Sequence, residues 1–291
     1  MENMQVKDIV RKVKQIEVRT RKKTDASLMG QYHSAFKGQG MTFAEVRQYQ
    51  FGDDIRRIDW NKTARFQSPF VKIMEEEREL TMMFLIDISA SMNYGTHSQL
   101  KKEFVAEICA SIGFSAVGNN DKVGMILFAD KVYKVIPPQK GKKHILSMIS
   151  QILSTEYIPS QSNTDKALEY VMSVFKKKSF LFLFSDFNDP IQNKILKIAT
   201  KKHELLGIRV TEEKDWKIPK VGYAEFLDVE SGEKVWVNTS SDYFQNYWKQ
   251  KREERKKNID FQFEQASASL LDISLDEDYA KKLRQYFNRK K

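Results

Sequence analysis

Four apolar runs, at 81–87, 122–129, 179–185 and 204–210, are separated by stretches of helical periodicity near 98–118, 141–154, 164–177 and 190–202. Short runs without polar alternation read as strands buried on both faces. Strands alternating with helices predict a doubly wound, mostly parallel α/β sheet with helices on both faces. An extended piece at 131–136 follows the second run too closely for a crossover, so it is expected to return antiparallel and form one edge. Past residue 211 the rhythm breaks. Two extended runs, Tyr223–Val229 and Lys234–Asn238, flank Glu230-Ser231-Gly232-Glu233, a hairpin signal. A charged helical stretch at about 240–265, a strand-like 270–275 and a helix at 276–288 follow. These read as an inserted hairpin and helix at about 220–265, then the last strand and helix of the same sheet.

The first 80 residues differ. Residues 5–23 carry Val6, Ile9, Val10, Val13 and Ile16 at helical spacing beside Lys and Arg, an amphipathic basic helix. Residues 24–80 are rich in Gly, Tyr, Arg and Asp and hold no long periodic helix. The expected organisation is an extension at 1–80 packed on a main domain at 81–291. No run approaches the ~18 apolar residues of a membrane-spanning helix. The first residues lead into Lys7, Arg11 and Lys12 with no apolar core, so no secretory signal is expected. The single cysteine, Cys109, lies in a helical setting and reads as a buried thiol in a reducing compartment, the cytoplasm.

Asp87-Ile88-Ser89-Ala90-Ser91 ends the first apolar run and delivers one carboxylate and two hydroxyls into the loop at the strand's carboxyl end. Ligands gather outside the carboxyl ends of strands in open α/β sheets. Thr164 opens a later helical pattern, and Asp186 ends the third run. Oxygen-only donors suit a hard cation, Mg2+ or another such as Mn2+; Mg2+ takes octahedral coordination at about 2.0–2.1 Å. Asp-x-Ser-x-Ser, then a Thr, then an Asp, each at the end of its own element, resembles the metal-ion-dependent adhesion site (MIDAS) of von Willebrand factor A domains. The resemblance implies Asp87, Ser89, Ser91, Thr164 and Asp186 as the ligand set.

A second resemblance covers most of the chain, from about Leu28 to Phe287. It rests on Gly38-Gln39-Gly40-Met41-Thr42-Phe43-Ala44-Glu45-Val46-Arg47-Gln48-Tyr49, on Phe51-Gly52-Asp53-Asp54-Ile55-Arg56-Arg57-Ile58-Asp59-Trp60, on Tyr133–Gly141, and on the turn Asp228-Val229-Glu230-Ser231-Gly232. These blocks are similar to the bacterial family called domain of unknown function 58. The family implies a von Willebrand A-like domain, an adhesion-type metal site and, as a partner, a MoxR-type AAA+ ATPase with its targets. One departure stands out: many relatives have a glycine pair before the metal Thr, where Ser162-Asn163 stands here.

Two carboxylates and three hydroxyls leave a divalent cation electrophilic, with room for an anionic oxygen from a docking protein. This predicts a non-enzymatic binding switch. Metal-dependent phosphoryl transfer is the enzymatic alternative, but phosphatases that begin Asp-x-Asp carry a nucleophilic carboxylate where Ser89 stands, and there is no phosphate-binding Gly-x-x-x-x-Gly-Lys loop. The net charge of +10, from 49 Lys and Arg against 39 acids, raises nucleic-acid binding as a further alternative. Residues 7–23 lack the interleaved aromatics that stack on bases, which ranks it below protein binding. In the 38–60 block, Arg47, Asp53, Asp54, Arg56 and Asp59, with Arg57, are expected to form a buried network of Arg–carboxylate pairs or, alternatively, a partner-docking surface; Trp60 is expected in the core. The oligomeric state is not legible in the sequence.

Overall fold

The buried apolar runs become the middle of one six-stranded sheet. The structure, a computed structural model, describes residues 6–23, 41–76, 79–93, 99–212, 218–227 and 234–289. Gly38, Gly40, Glu77 and the turn 228–232 lie outside the described residues. In chain order the elements are α1 (Val6–Lys23), β1 (Met41–Gln48), α2 (Trp60–Phe66), β2 (Phe70–Glu76), β3 (Thr81–Asp87), α3 (Lys101–Gly118), β4 (Lys122–Phe128) and β5 (Val132–Gln139). Then follow α4 (Lys142–Ser154), α5 (Thr164–Val174), β6 (Phe180–Ser185), α6 (Asn193–Lys202), β7 (Glu204–Thr211), β8 (Tyr223–Leu227), β9 (Lys234–Asn238), α7 (Asp242–Gln265), β10 (Ser269–Ser274) and α8 (Tyr279–Arg289).

The main sheet has the order β10-β7-β6-β3-β4-β5. All neighbours are parallel except β4 and β5, which pair antiparallel, as the short connection requires. β5 is the edge and tolerates Pro137 and Pro138, which could not complete a central ladder. Met82, Phe84 and Ile86 of β3 face a core shared with α1, α3, α4 and α8, while Met83 and Leu85 face α5, α6 and α7. β3 pairs β4 on one side and β6 on the other, so successive crossovers leave in opposite directions and open a crevice at the carboxyl ends of β3 and β6.

α3 is apolar nearly all round, with Phe104, Val105, Ile108, Cys109 and Ile112 buried. A helix of that character needs cover on its outer side. α1 supplies part of it: Ile9 and Ile16 are buried there, and the basic face of α1 is partly spent on α3, where Lys12 pairs with Glu103 and Arg19 with Glu107 at 3.1 Å. Glu17 of α1 also pairs with Lys142 of α4 at 2.5 Å. Burial pushes the Cys109 thiol pKa well up, as expected of an inert side chain.

The 41–76 segment corrects two expectations. Its charged residues form local turns, not a buried network. Arg47 makes a two-pronged, partly exposed pair with Asp53 at 2.7 and 2.8 Å, Asp54 accepts the Arg56 N–H at 3.0 Å, and Asp59 caps α2. The Arg47 guanidinium holds the Asp53 carboxyl below the usual range. Trp60 is 69 % exposed, because β1 and β2 form a separate ribbon that leaves the outer side of α2 to solvent. Glu79 pairs with Lys122 at 2.5 Å and Lys140 at 2.7 Å.

α7 approaches the sheet closely at Gly207 of β7. A Cβ at that position would meet Phe263 Cε1 at 2.4 Å and Leu270 Cδ1 at 2.9 Å. Gly207→Ala is therefore expected to destabilise the fold by about 1–3 kcal/mol through overpacking. A lowered urea midpoint at unchanged m checks this; an unchanged midpoint would mean that Phe263 moves aside without cost.

Candidate functional site

The end of β3 buries Asp87 completely, at 0 % exposure. A buried carboxylate requires donors, and three surround it. Oδ1 accepts the Ser89 N–H at 2.8 Å, while Oδ2 accepts the hydroxyls of Ser162 at 2.6 Å and Ser185 at 2.7 Å. The Ser89 and Ser91 hydroxyl oxygens lie 3.2 Å apart. Ile158 donates its N–H to Ile88 O at 3.0 Å and the Asn163 N–H bonds Ala129 O at 2.8 Å, drawing segment 158–163 across the strand ends. Asn163 then caps α5, and Thr164, 6 % exposed, is its first residue.

The end of β6 supplies Asp186. Phe187 follows in a left-handed conformation (φ 52°), its N–H on Ser185 Oγ at 3.0 Å, which turns the chain sharply away from the sheet. The Asp186 carboxylate, 5 % exposed, accepts the Asn188 side-chain N–H at 2.6 Å and faces Lys101 Nζ at 3.6 Å. Lys101 is 1 % exposed in the first turn of α3. A cation there opposes the helix dipole and loses its hydration, and the Asp186 carboxylate offsets part of that cost.

Burial first, and the Asp186 charge second, push the Asp87 pKa up to about 6, against the lowering effect of its three hydrogen bonds. Burial and the same two carboxylates, with Glu103, keep the neighbouring Tyr157 phenol protonated. Asp87, Asp186 and the Lys101 ammonium thus lie together at this edge.

The donor set fits a hard divalent cation. Adjacent ligands of an octahedral ion bound at about 2.1 Å lie roughly 3 Å apart, and the Ser89 and Ser91 hydroxyls have that separation. Among the described residues no three His, Cys, Asp or Glu side chains gather into a metal-binding group, so a cation here must draw on hydroxyls. Asp87, Ser89, Ser91, Thr164 and Asp186 share the carboxyl edge of the sheet, whereas Arg47, Asp53, Asp54, Arg56 and Asp59 belong to the separate β1–β2 ribbon and its turns.

Four residues escaped the sequence reading: Lys101, Ser162, Ser185 and Asn188. Ser185 had a signal, being adjacent to Asp186. Ser162 also had one, because it stands where the family resemblance implies a glycine; its hydroxyl bonds Asp87 and its N–H bonds Asp189 Oδ2 at 2.8 Å. Lys101 had none.

Comparisons with known proteins agree with this frame. An uncharacterized protein of Mycobacterium tuberculosis is 30% identical over 220 residues, covering 75% of this chain and 69% of that protein. The uncharacterized protein YeaD of Bacillus subtilis is 28% identical over 127 residues, covering 44% of this chain and 28% of that protein. Among solved structures, an aerotolerance-related membrane protein of Bacteroides fragilis superposes with a TM-score of 0.50 at 15% identity, covering 72% of this chain and 98% of that one. At that identity the likeness shows the fold alone, a von Willebrand A-like arrangement. With residues 45–258 matched by the family described as protein of unknown function DUF58, this chain belongs to the DUF58 family.

Proposed function

We propose that the chain is a metal-dependent protein-interaction module without catalytic activity of its own. The observation that carries this reading is the charge at the carboxyl edge of the sheet. Asp87 and Asp186 are buried with one ammonium, Lys101, between the sheet and α3. A divalent cation held by Ser89, Ser91 and Thr164, with Asp87 and Asp186 bound directly or through water, would balance the charge of those two carboxylates. A bound Mg2+ or Mn2+ would supply Lewis acidity toward one further anionic oxygen. A carboxylate on a docking protein provides that oxygen.

The residues themselves favour binding over turnover. Both Asp87 oxygens are already occupied by protein donors, and Asp186 is held by Lys101 and Asn188. Neither carboxylate is poised as a nucleophile or general base. The basic face of α1, the leading nucleic-acid candidate, is partly neutralised by Glu103 and Glu107. Among the described residues no helix is long and apolar enough to cross a membrane. The family resemblance names the partner class: a MoxR-type AAA+ ATPase in the bacterial cytoplasm, with this chain as its adaptor or substrate-selecting partner.

Capture of such an ATPase on immobilised protein tests the reading. EDTA and Asp87→Ala are each expected to abolish capture, while Lys12→Ala and Lys14→Ala leave it intact. Capture that survives both the chelator and the Asp87 substitution would move the docking surface away from this edge.

A further inference from the structure

Residues 49–69 close off one end of the β1–β2 ribbon. The Tyr49 N–H bonds Pro69 O at 2.8 Å and the Asp59 N–H bonds Phe70 O at 2.7 Å, so the turn at 50–53, the stretch 54–58 and α2 belong to a single tip. Four large apolar side chains stand in solvent there. Phe51 is fully exposed, and Ile55, Trp60 and Phe66 are 67, 69 and 63 % exposed. Single exposed apolar residues are ordinary, but four on one small tip mark a contact surface.

This exposure is built into the local structure. The Asp53 N–H closes a turn on Gln50 O at 3.0 Å, with Gly52 in the left-handed region (φ 104°). The Asp53 carboxylate fixes the turn by accepting the Gln50 N–H at 2.8 Å and the Arg47 fork. Phe51 is thereby held at the apex, clear of the ribbon. In α2 the Thr63 hydroxyl accepts the Phe70 N–H at 3.0 Å, which sets that side of the helix against the ribbon. At about 100° per residue, Trp60 and Phe66 fall on the two flanks of α2, and Lys62 and Arg65 occupy the outer arc between them. Phe66 also rests on Phe70, with ring centres 5.5 Å apart.

The acids of the tip are engaged within it. Asp53 holds Arg47, Asp54 accepts the Arg56 N–H, and Asp59 accepts the N–H groups of Asn61 and Lys62. Arg57, Lys62 and Arg65 are exposed, and among the described residues their side chains make no ion pair or hydrogen bond. What the tip offers to a partner is therefore rings interleaved with free cations.

Three anionic partners fit such a surface to different degrees. A membrane-lying helix segregates its apolar side chains on one face, whereas α2 carries its cations between its two rings. An acidic peptide would match the cations and leave the rings without a counterpart. A single strand matches both, because every base has a face to stack and every link has a phosphate. A duplex keeps its base faces inside the stack. We infer that the ribbon tip binds a single-stranded nucleic acid, with bases stacked on Phe51, Trp60 and Phe66 and phosphates paired with Arg57, Lys62 and Arg65. No residue of this surface belongs to the carboxyl edge of the main sheet, so the two sites stand or fall separately.

Fluorescence anisotropy of labelled ten-nucleotide strands, oligo-dT and oligo-rU, tests this on the full chain in EDTA at low salt. Phe51→Ala with Trp60→Ala is expected to weaken binding at least tenfold without changing its salt dependence, since stacking involves no counter-ion. Trp60→Phe keeps a ring and is expected to stay within threefold of the wild type. Arg57→Gln with Arg65→Gln is expected to weaken binding at least tenfold and to flatten the salt dependence, because fewer counter-ions are released. Arg11→Gln with Lys14→Gln removes the same charge from α1 and is expected to change binding less than threefold. A ring double variant within threefold of the wild type, or equal losses from the tip and α1 pairs, would overturn the inference. So would the absence of binding to either strand, or tighter binding through the same residues of a duplex, of decaglutamate, or of vesicles of equal parts phosphatidylglycerol and phosphatidylcholine. A preference for the ribose or the deoxyribose strand supports the inference in either case and names the source.

Discussion

Replacing Lys101 by methionine is expected to lower the thermal stability of the metal-free protein more than any other single change at the site. The ammonium is 1 % exposed and faces Asp186 at 3.6 Å. Methionine keeps the length and apolar stem of the side chain but leaves Asp186 buried beside Asp87 with no cation. Breaking a buried pair by removing one partner costs about 3–5 kcal/mol, which at roughly 2–4 °C per kcal/mol is a fall of about 6–20 °C in Tm. Mg2+ is expected to return more stability to the variant than it adds to the wild type, because the ammonium no longer competes for Asp186. Thermal melts in EDTA and in Mg2+ check both statements. A variant melting within about 2 °C of the wild type in EDTA would show that Lys101 is not the counter-charge of the edge.

The second large effect is in the pH dependence. Burial and the adjacent Asp186 charge raise the Asp87 pKa from 3.8 to about 6, so ionising Asp87 is harder in the folded protein than in the unfolded chain. The folded state therefore binds more protons between about pH 4 and pH 6, and stability falls as pH rises through that window. The cost is absent below the unfolded pKa and complete above the folded one, where it amounts to about 3 kcal/mol. Asp87→Asn removes the charge and is expected to raise the stability of the metal-free protein at pH 7.5 by up to about 3 kcal/mol, less what the amide loses at the Ser162 and Ser185 hydroxyls. Urea denaturation of both proteins in EDTA at pH 4.5 and pH 7.5 measures this. A difference between them that is the same at both pH values would mean that Asp87 is not strained by ionisation. Mg2+ at pH 7.5 is expected to stabilise the wild type and leave Asp87→Asn unchanged.

The order of strands and helices from 81 to 289 was legible because it is written locally. Apolar runs such as Phe180–Phe184 are buried wherever they fall, and the short step from Phe128 to Val132 admits only an antiparallel return. The basic face of α1 was also legible, but its partners Glu103 and Glu107 were not, since they lie about 90 residues further on. Trp60 misled because an aromatic residue is usually buried, and nothing in its neighbourhood says that the ribbon around it stands apart from the sheet.

The sequence by itself determined the sheet, its antiparallel edge and the end of β3 as the place where Asp87, Ser89 and Ser91 meet, because strand direction and side-chain period are properties of contiguous residues. Only the tertiary structure decided what surrounds Asp87. Ser162 and Ser185 reach it from 75 and 98 residues away, Lys101 enters from the start of α3, and Arg252 and Arg255 arrive through Asn188 from α7. Ser185 comes by the pairing of β6 with β3 and Ser162 by the 158–163 segment laid across the strand ends, while the others depend on how separate helices pack beside them. Charge balance in a buried site is a sum over groups brought together by packing, so no single stretch of sequence contains it.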